Sequence, residues 1–369
     1  MKKYLILAAA VLVASAACTK SEVINSADQK ISFEVANYMA QTKANQDTNA
    51  ELGGSFTTNA WFTNGDGVKM QFMNDVAITW NTPVSGQWAP ARDYYWPKTG
   101  YIDFYSYDGT LAPTTKAEGS LVYTNATITS TDNILVADAA YRQTGNSSTY
   151  HIDASTVVGV PTLFRHQLAK VKFTVKLATT DAKKSANTKW DVTILNETGH
   201  LSNLIVHNAG TLTLSNSYSG TAATTQAWTN ANTSNPNVGW VAGTSTETIS
   251  TLTPALVLPK NATSSGDPVD LIALRAVMPQ VLGNDVVFTL NYNVKATYGD
   301  ETTAYLDENR SISKKLTELV AESTPISEWD MNKIITYNVI IDPVSERILF
   351  DPAVEEWVNE TAQTINIPE

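Results

Sequence analysis

The chain has 369 residues, of which 43% are hydrophobic, 9% aromatic and 17% charged. That excludes wholesale disorder and supplies apolar side chains for sizeable cores, and at roughly 150 residues per domain it suggests about two domains. With 36 acidic against 25 basic side chains the formal charge is −11, so the positive field that a nucleic acid or other polyanion requires is missing. Charged residues fall below the usual ~25%, and Thr, Asn and Ser take their place as the polar component.

Residues 1–17 open with Lys2 and Lys3, continue through an apolar run from Tyr4 to Val13, and end in Ala14-Ser15-Ala16-Ala17. The run is too short for a ~30 Å bilayer core and reads as an export signal. Cys18, the single cysteine, follows at once, as in a bacterial lipobox, although Ser15 stands where Leu is usual. Residues 1–17 are therefore read as a lipoprotein signal peptide and Cys18 as the lipidation site; the other reading is an ordinary signal peptide with an incidental cysteine. Two or more acyl chains would hold the protein at the outer membrane, since each buried CH₂ contributes ~0.8 kcal/mol. With one thiol no disulfide forms within the chain.

Residues 18–53 read as a polar tether and a first strand, in which Ile31, Phe33 and Val35 alternate with Ser32, Glu34 and Ala36. A soft stretch, Gln41 to Ser55, follows. Trp61-Phe62 leads into Asn64-Gly65-Asp66-Gly67, residue types that suit a tight turn. Val68, Met70 and Phe72 alternate, and Trp88, Tyr94 to Trp96 and Tyr101 to Tyr105 form a dense aromatic strand region. Leu121 to Tyr123 and Ile134 to Val136 continue the rhythm. A second strand series starts near Leu163, where Val171, Phe173 and Val175 alternate with Lys170, Lys172, Thr174 and Lys176. Further strands are expected at 190–195, 201–206, 249–258, 271–277, 286–298, 334–341 and 347–350. Ser215 to Gly239 reads as a long loop or decoration, and Ser313 to Glu322 as the one short helical turn. Short strands at about ten-residue spacing imply all-β sandwiches, placed at 54–160 and 161–369.

Catalytic chemistry is not legible. His151, His166, His200 and His207 show neither i,i+4 pairing nor a Cys/His cluster, and no G-x-S-x-G elbow occurs. Gly65-Asp66-Gly67 lacks the context of a nucleotide loop. Asp267 and Asp270 lack the remaining ligands of a calcium loop. No catalytic residue, metal or cofactor is expected. The nine tryptophans raise a glycan-stacking reading, but strand-like and turn-flanking positions favour packing.

Several segments together resemble the fimbrillin family, the pilin subunits of type V pili of Bacteroides-type bacteria. They are the lipobox at Cys18, Ile31-Ser32-Phe33 followed by Gln41-Thr42-Lys43-Ala44, and Trp96-Pro97-Lys98 with Ile102 to Tyr107. Ile134 to Ala137, the run from Leu163 to Phe173, Trp329 with Lys333 and Tyr337, and Val354 with Trp357 complete the set. The resemblance implies two transthyretin-like β-sandwich domains in tandem and makes His166 a structural residue. It also implies a lipidated precursor at the cell outer membrane that is cut behind its first strand and polymerises with other fimbrial subunits by donor-strand exchange, supporting adhesion to host or bacterial surfaces. Carried onto this chain, Ile31, Phe33 and Val35 are the displaced strand and Lys43 is the scissile residue. The first arginine is Arg92, so either a lysine is accepted or the subunit is never cut and serves as an anchor or accessory protein. Val358, Ile365 and Ile367 are the candidate donor strand; otherwise that tail is the last strand of its own domain. The alternative function is an outer-membrane glycan-binding lipoprotein, which requires an exposed row of Trp or Tyr.

Overall fold

Short apolar runs of period two bury a face only by stacking or closing sheets, and both solutions occur here. A computed structural model describes residues 30–37, 52, 54–81, 87–146, 159–178, 188–195, 203–250, 256–257, 268–284, 286–321, 324–343 and 347–357. The first strands are β1 (Phe33–Asn37), β2 (Ser55–Thr63), β3 (Lys69–Asn81), β4 (Gln87–Pro90) and β5 (Tyr101–Gly109). They are followed by β6 (Thr115–Ala117), β7 (Ser120–Thr127), β8 (Ile134–Ala137), β9 (Ala139–Gln143) and β10 (Val160–His166). The order β5-β2-β3-β4-β1-β10-β8 closes on itself, because β8 pairs with both β10 and β5. Closure removes sheet edges. Asp138, between β8 and β9, carries the chain from one half of β5 to the other, and Arg165 grips its carboxylate at 2.8 and 2.9 Å.

The ring encloses an aromatic core. Phe56 meets Phe164 and Trp88 at centroid distances of 5.3 and 5.5 Å, and Trp96 meets Phe104 edge-on at 5.9 Å. Such offset or edge-to-face pairs add ~0.5–1.5 kcal/mol each beyond burial.

The chain then runs through β11 (Ala169–Leu177), β12 (Thr188–Ile194), β13 (Asn203–His207), β14 (Ala209–Ser215), β15 (Thr224–Gln226) and β16 (Thr229–Asn230). Next come β17 (Trp240–Ala242), β18 (Thr246–Ser250), β19 (Leu256–Val257), β20 (Val269–Val277), β21 (Gln280–Val281) and β22 (Val287–Tyr298). The last are β23 (Leu306–Lys315), β24 (Val320–Ala321), β25 (Thr324–Pro325), β26 (Glu328–Trp329), β27 (Lys333–Asp342) and β28 (Arg347–Glu356). Two four-stranded sheets, β20-β11-β27-β28 and β19-β12-β22-β23, contribute to one apolar core. Phe173 stacks at 4.7 Å on Phe288 and at 4.6 Å on Tyr337. The alternation of Val171, Phe173 and Val175 with lysines ends as expected, apolar side inward. In β28, Pro352 and the exposed Glu355 blunt a strand that, among the described residues, pairs only with β27 in its sheet.

A third core joins the two. Strand β7, which comes from the first part, pairs with β14 from the second over Ser120↔Ser215 to Thr127↔Ala209. Tyr123, Leu212, Trp240 and Trp357 are buried there, and Trp240 Nε1 donates to the Gln167 carbonyl at 2.7 Å.

Three expectations change. The strand at Leu163 closes the first ring, and the second core begins at Ala169, because Gln167-Leu168 breaks the run into strands of different sheets. The helical turn at Ser313–Glu322 is largely strand: β23 continues to Lys315 against β22, leaving a 3-10 turn at Leu316–Glu318 whose Leu316 is buried. Ser215–Gly239 is not simply a loop. Within it β15 pairs with β9, which flanks the ring on β5, and Trp228 Nε1 donates to the Ala137 carbonyl at 2.7 Å.

Candidate functional site

Strand β1 lies inside the ring. It runs parallel to β10, from Phe33↔Val160 to Asn37↔Phe164, and meets β4 antiparallel at Phe33↔Trp88. Ahead of the strand, Ile31 N donates to the Tyr94 carbonyl at 2.8 Å, and Val160 N donates to the Ser32 carbonyl at 2.7 Å. Ile31 and Phe33 point into the aromatic core, Phe33 with no exposed surface and with Phe56 and Phe104 edge-on at 5.6 Å each. Val35 is half-buried against the same cluster. Ser32 and Glu34 are also buried, as expected of a strand with neighbours on both sides.

Two further residues seat the strand. Asn146 receives the Ser32 amide at 3.2 Å and Trp96 Nε1 at 3.0 Å on Oδ1, and its Nδ2 donates to the Lys30 carbonyl at 2.7 Å. Gly159 lets the backbones approach: a Cβ there would lie 2.5 Å from the Phe33 carbonyl carbon and 2.6 Å from the Glu34 nitrogen. No local pattern marks either residue, because both act on a segment more than a hundred positions away. Lys30 pairs with Asp93 at 2.7 Å on the exposed side.

Cys18, Lys43, Val358, Ile365 and Ile367 lie outside the described residues, so Ile31, Phe33 and Val35 are the predicted site residues that the fold brings together. The chain reaches the C-terminal tail through Trp357, which is buried, donates its amide to the Asn332 carbonyl at 2.7 Å, and stacks on His166 at 3.8 Å with an interplanar angle of 5°. His166 Nδ1 faces Asn133 Oδ1 at 2.9 Å. Burial and the nearby Lys170 charge hold the imidazole far below its ordinary value, at about 3, so it is neutral and structural. Asn332, with φ of 61°, also donates its amide to the Leu168 carbonyl and thereby rivets the joint.

None of the nine tryptophans is more than partly exposed, so they form no open row on which a glycan could stack. Asp270 pairs with Lys172 at 2.8 Å, while Asp267 lies outside the described residues. Among the described residues no group of three or more His, Cys, Asp or Glu side chains could hold a metal ion, and no helix is long and apolar enough to cross a membrane.

A family profile described as "Fimbrillin-like" matches residues 42–357. No curated protein matches. Solved structures similar to the chain include a fimbrial protein from Bacteroides vulgatus, 15% identical, covering 89% of this chain and 100% of that one with a TM-score of 0.45. Another, a protein assigned to cell adhesion from Bacteroides uniformis, is 15% identical and covers 90% and 100% with a TM-score of 0.40. A third, also assigned to cell adhesion, from Parabacteroides distasonis, is 11% identical and covers 89% and 100% with a TM-score of 0.43.

Proposed function

The chain belongs to the fimbrillin-like family, and on that footing we propose that it is a structural subunit of a cell-surface fimbria, joined to its neighbours by exchange of strand β1 for a segment of another subunit. The family is one of structural fimbrial subunits and not of enzymes. The observation that carries the reading is the interior position of β1 between β4 and β10, with Phe33 at the centre of the aromatic core. Removal of such a strand exposes unpaired N–H and C=O groups on β10 together with an apolar slot. A donor strand satisfies both at once. Burial of Ile31 and Phe33 contributes ~1.5–3 kcal/mol each, and a donor must match that with its own alternate side chains.

In this reading Cys18 carries the lipid that brings the precursor to the outer membrane, and Lys43 is the cleavage point behind β1. Val358, Ile365 and Ile367 form the donor, leaving a chain that is pinned at Trp357 just ahead of them. The test is digestion of the intact chain with trypsin, followed by electrophoresis without boiling. A ladder is expected, and it should be lost in Lys43→Ala and in a chain lacking residues 358–369. Monomers alone after complete cleavage at Lys43 would overturn the exchange.

A further inference from the structure

Strand β23 is the outer strand of its sheet: among the described residues it pairs with β22 and with no other strand. It runs for ten residues, Leu306–Lys315, without proline or glycine. Just past it, Leu316 N donates to the Val286 carbonyl at 3.1 Å in the register of the ladder, which fixes the alternation of the antiparallel pair. Leu306, Glu308, Arg310, Ile312 and Lys314 therefore bond to β22, while Asp307, Asn309, Ser311, Ser313 and Lys315 turn their N–H and C=O groups outward. The edge strand β28 differs. There Trp357 N donates to the Asn332 carbonyl in ladder register, and the same alternation puts Pro352 at an outward position, where it withholds a donor. The outer edge of β23 has no such gap.

Its side chains restrict what can pair there. Leu306 and Ile312 pack against the second core, and by strand alternation Glu308, Arg310 and Lys314 share their face. Charges at such positions ordinarily turn a stray strand away. Their order along the strand, acids first and lysines last, suits a second copy of β23 running antiparallel. With Ser311 opposite Ser311, Asp307 faces Lys315 and Glu308 faces Lys314, and two-fold symmetry repeats both pairs. Moving the centre to Arg310 sets two guanidinium groups against each other, and moving it to Ile312 sets Arg310 against Lys314. A parallel in-register pair would put Asp307 on Asp307 and Lys315 on Lys315. Within one chain Asp307 already lies 3.1 Å from Lys295 and Glu308 lies 3.2 Å from Arg310, so each acid is held in place on the strand for a further cation from across the joint.

We propose that β23 is an interaction surface for a second copy of this chain, the two edges pairing antiparallel about Ser311 into one continuous sheet. The contact is one strand wide, so the dimer is reversible and depends on concentration. It does not involve β1, and its failure leaves the strand-exchange reading untouched. The test uses the uncleaved chain carrying Cys18→Ala, which removes the only thiol. Sedimentation velocity over a concentration series should show monomer and dimer, with the dimer lost as salt rises. Ser311→Pro removes an outward N–H alone and should abolish the dimer at unchanged melting temperature. Glu308→Lys and Lys314→Glu should each be monomeric, because like charges then face each other, and should dimerise when mixed, because the mixture restores both pairs. Ser311→Cys should form a disulfide-linked dimer on oxidation, since a hydrogen-bonded pair sets its Cα atoms about 5.5 Å apart. Asn309→Cys should not, its two copies lying about 14 Å apart along the strands. A monomer at every concentration, a dimer that survives Ser311→Pro, no association in the mixture, or equal cross-linking through Asn309→Cys overturns the proposal.

Discussion

Phe33→Ala tests whether β1 is a structural member of the ring. The side chain has no exposed surface and two edge-on partners at 5.6 Å. Burial of the ring contributes ~1.5–3 kcal/mol, and each aromatic pair ~0.5–1.5 kcal/mol. The sum agrees with the ~3–5 kcal/mol lost when a core Phe becomes Ala, a large share of the ~5–15 kcal/mol typical of a folded domain. Val35→Ala, at a half-buried position against the same cluster, should cost only about 1 kcal/mol. The assay is urea denaturation of the intact chain followed by tryptophan fluorescence, with amide exchange read in parallel. Protection should fall at Ile31 and Val160, whose amides bond across the strand, and persist in β11 and β27 of the other core. A loss below 1 kcal/mol for Phe33→Ala, or equal losses for both variants, would refute the placement of β1.

Other outcomes follow from the same geometry. Gly159→Ala puts a methyl group 2.5 Å from the β1 backbone and should open β1 locally, seen as faster exchange at Ile31 and as a loss of roughly 1–3 kcal/mol; unchanged exchange would contradict the close approach. His166 is held neutral at about 3 in the folded chain against an ordinary 6.5. Its contribution is complete above 6.5 and drains as pH falls towards 3, because the unfolded chain takes up the proton first. Between pH 7 and 5 the loss should be about 2 kcal/mol, and His166→Gln should remove that part of the slope in a urea series. An equal slope in the variant would place the imidazole in water. Cys18→Ala should release the exported protein from the outer-membrane fraction, and retention there would exclude the lipid anchor.

The all-β class and the inward faces of most strands were legible because side chains alternate with period two whatever the partner strand is. Val171, Phe173 and Val175 against their lysines decide a buried face locally, and Ile31 and Phe33 do the same for β1. The leading segment with its lone cysteine, and the order of family-like motifs, are also properties of the linear chain. What local pattern cannot carry is which strands become neighbours. The parallel pairing of Phe33 with Val160, the closure of β8 onto β5, the crossing of the Ser215–Gly239 segment to β9 and the burial of Trp357 on His166 each join positions far apart in the chain. Gly159 and Asn146 have meaning only after those joints form, since each acts on a residue that the chain brings to it from elsewhere. Periodicity sets the side of a strand that faces inward; backbone hydrogen bonding, which is indifferent to side-chain identity, leaves the choice of neighbour to the packing of the whole.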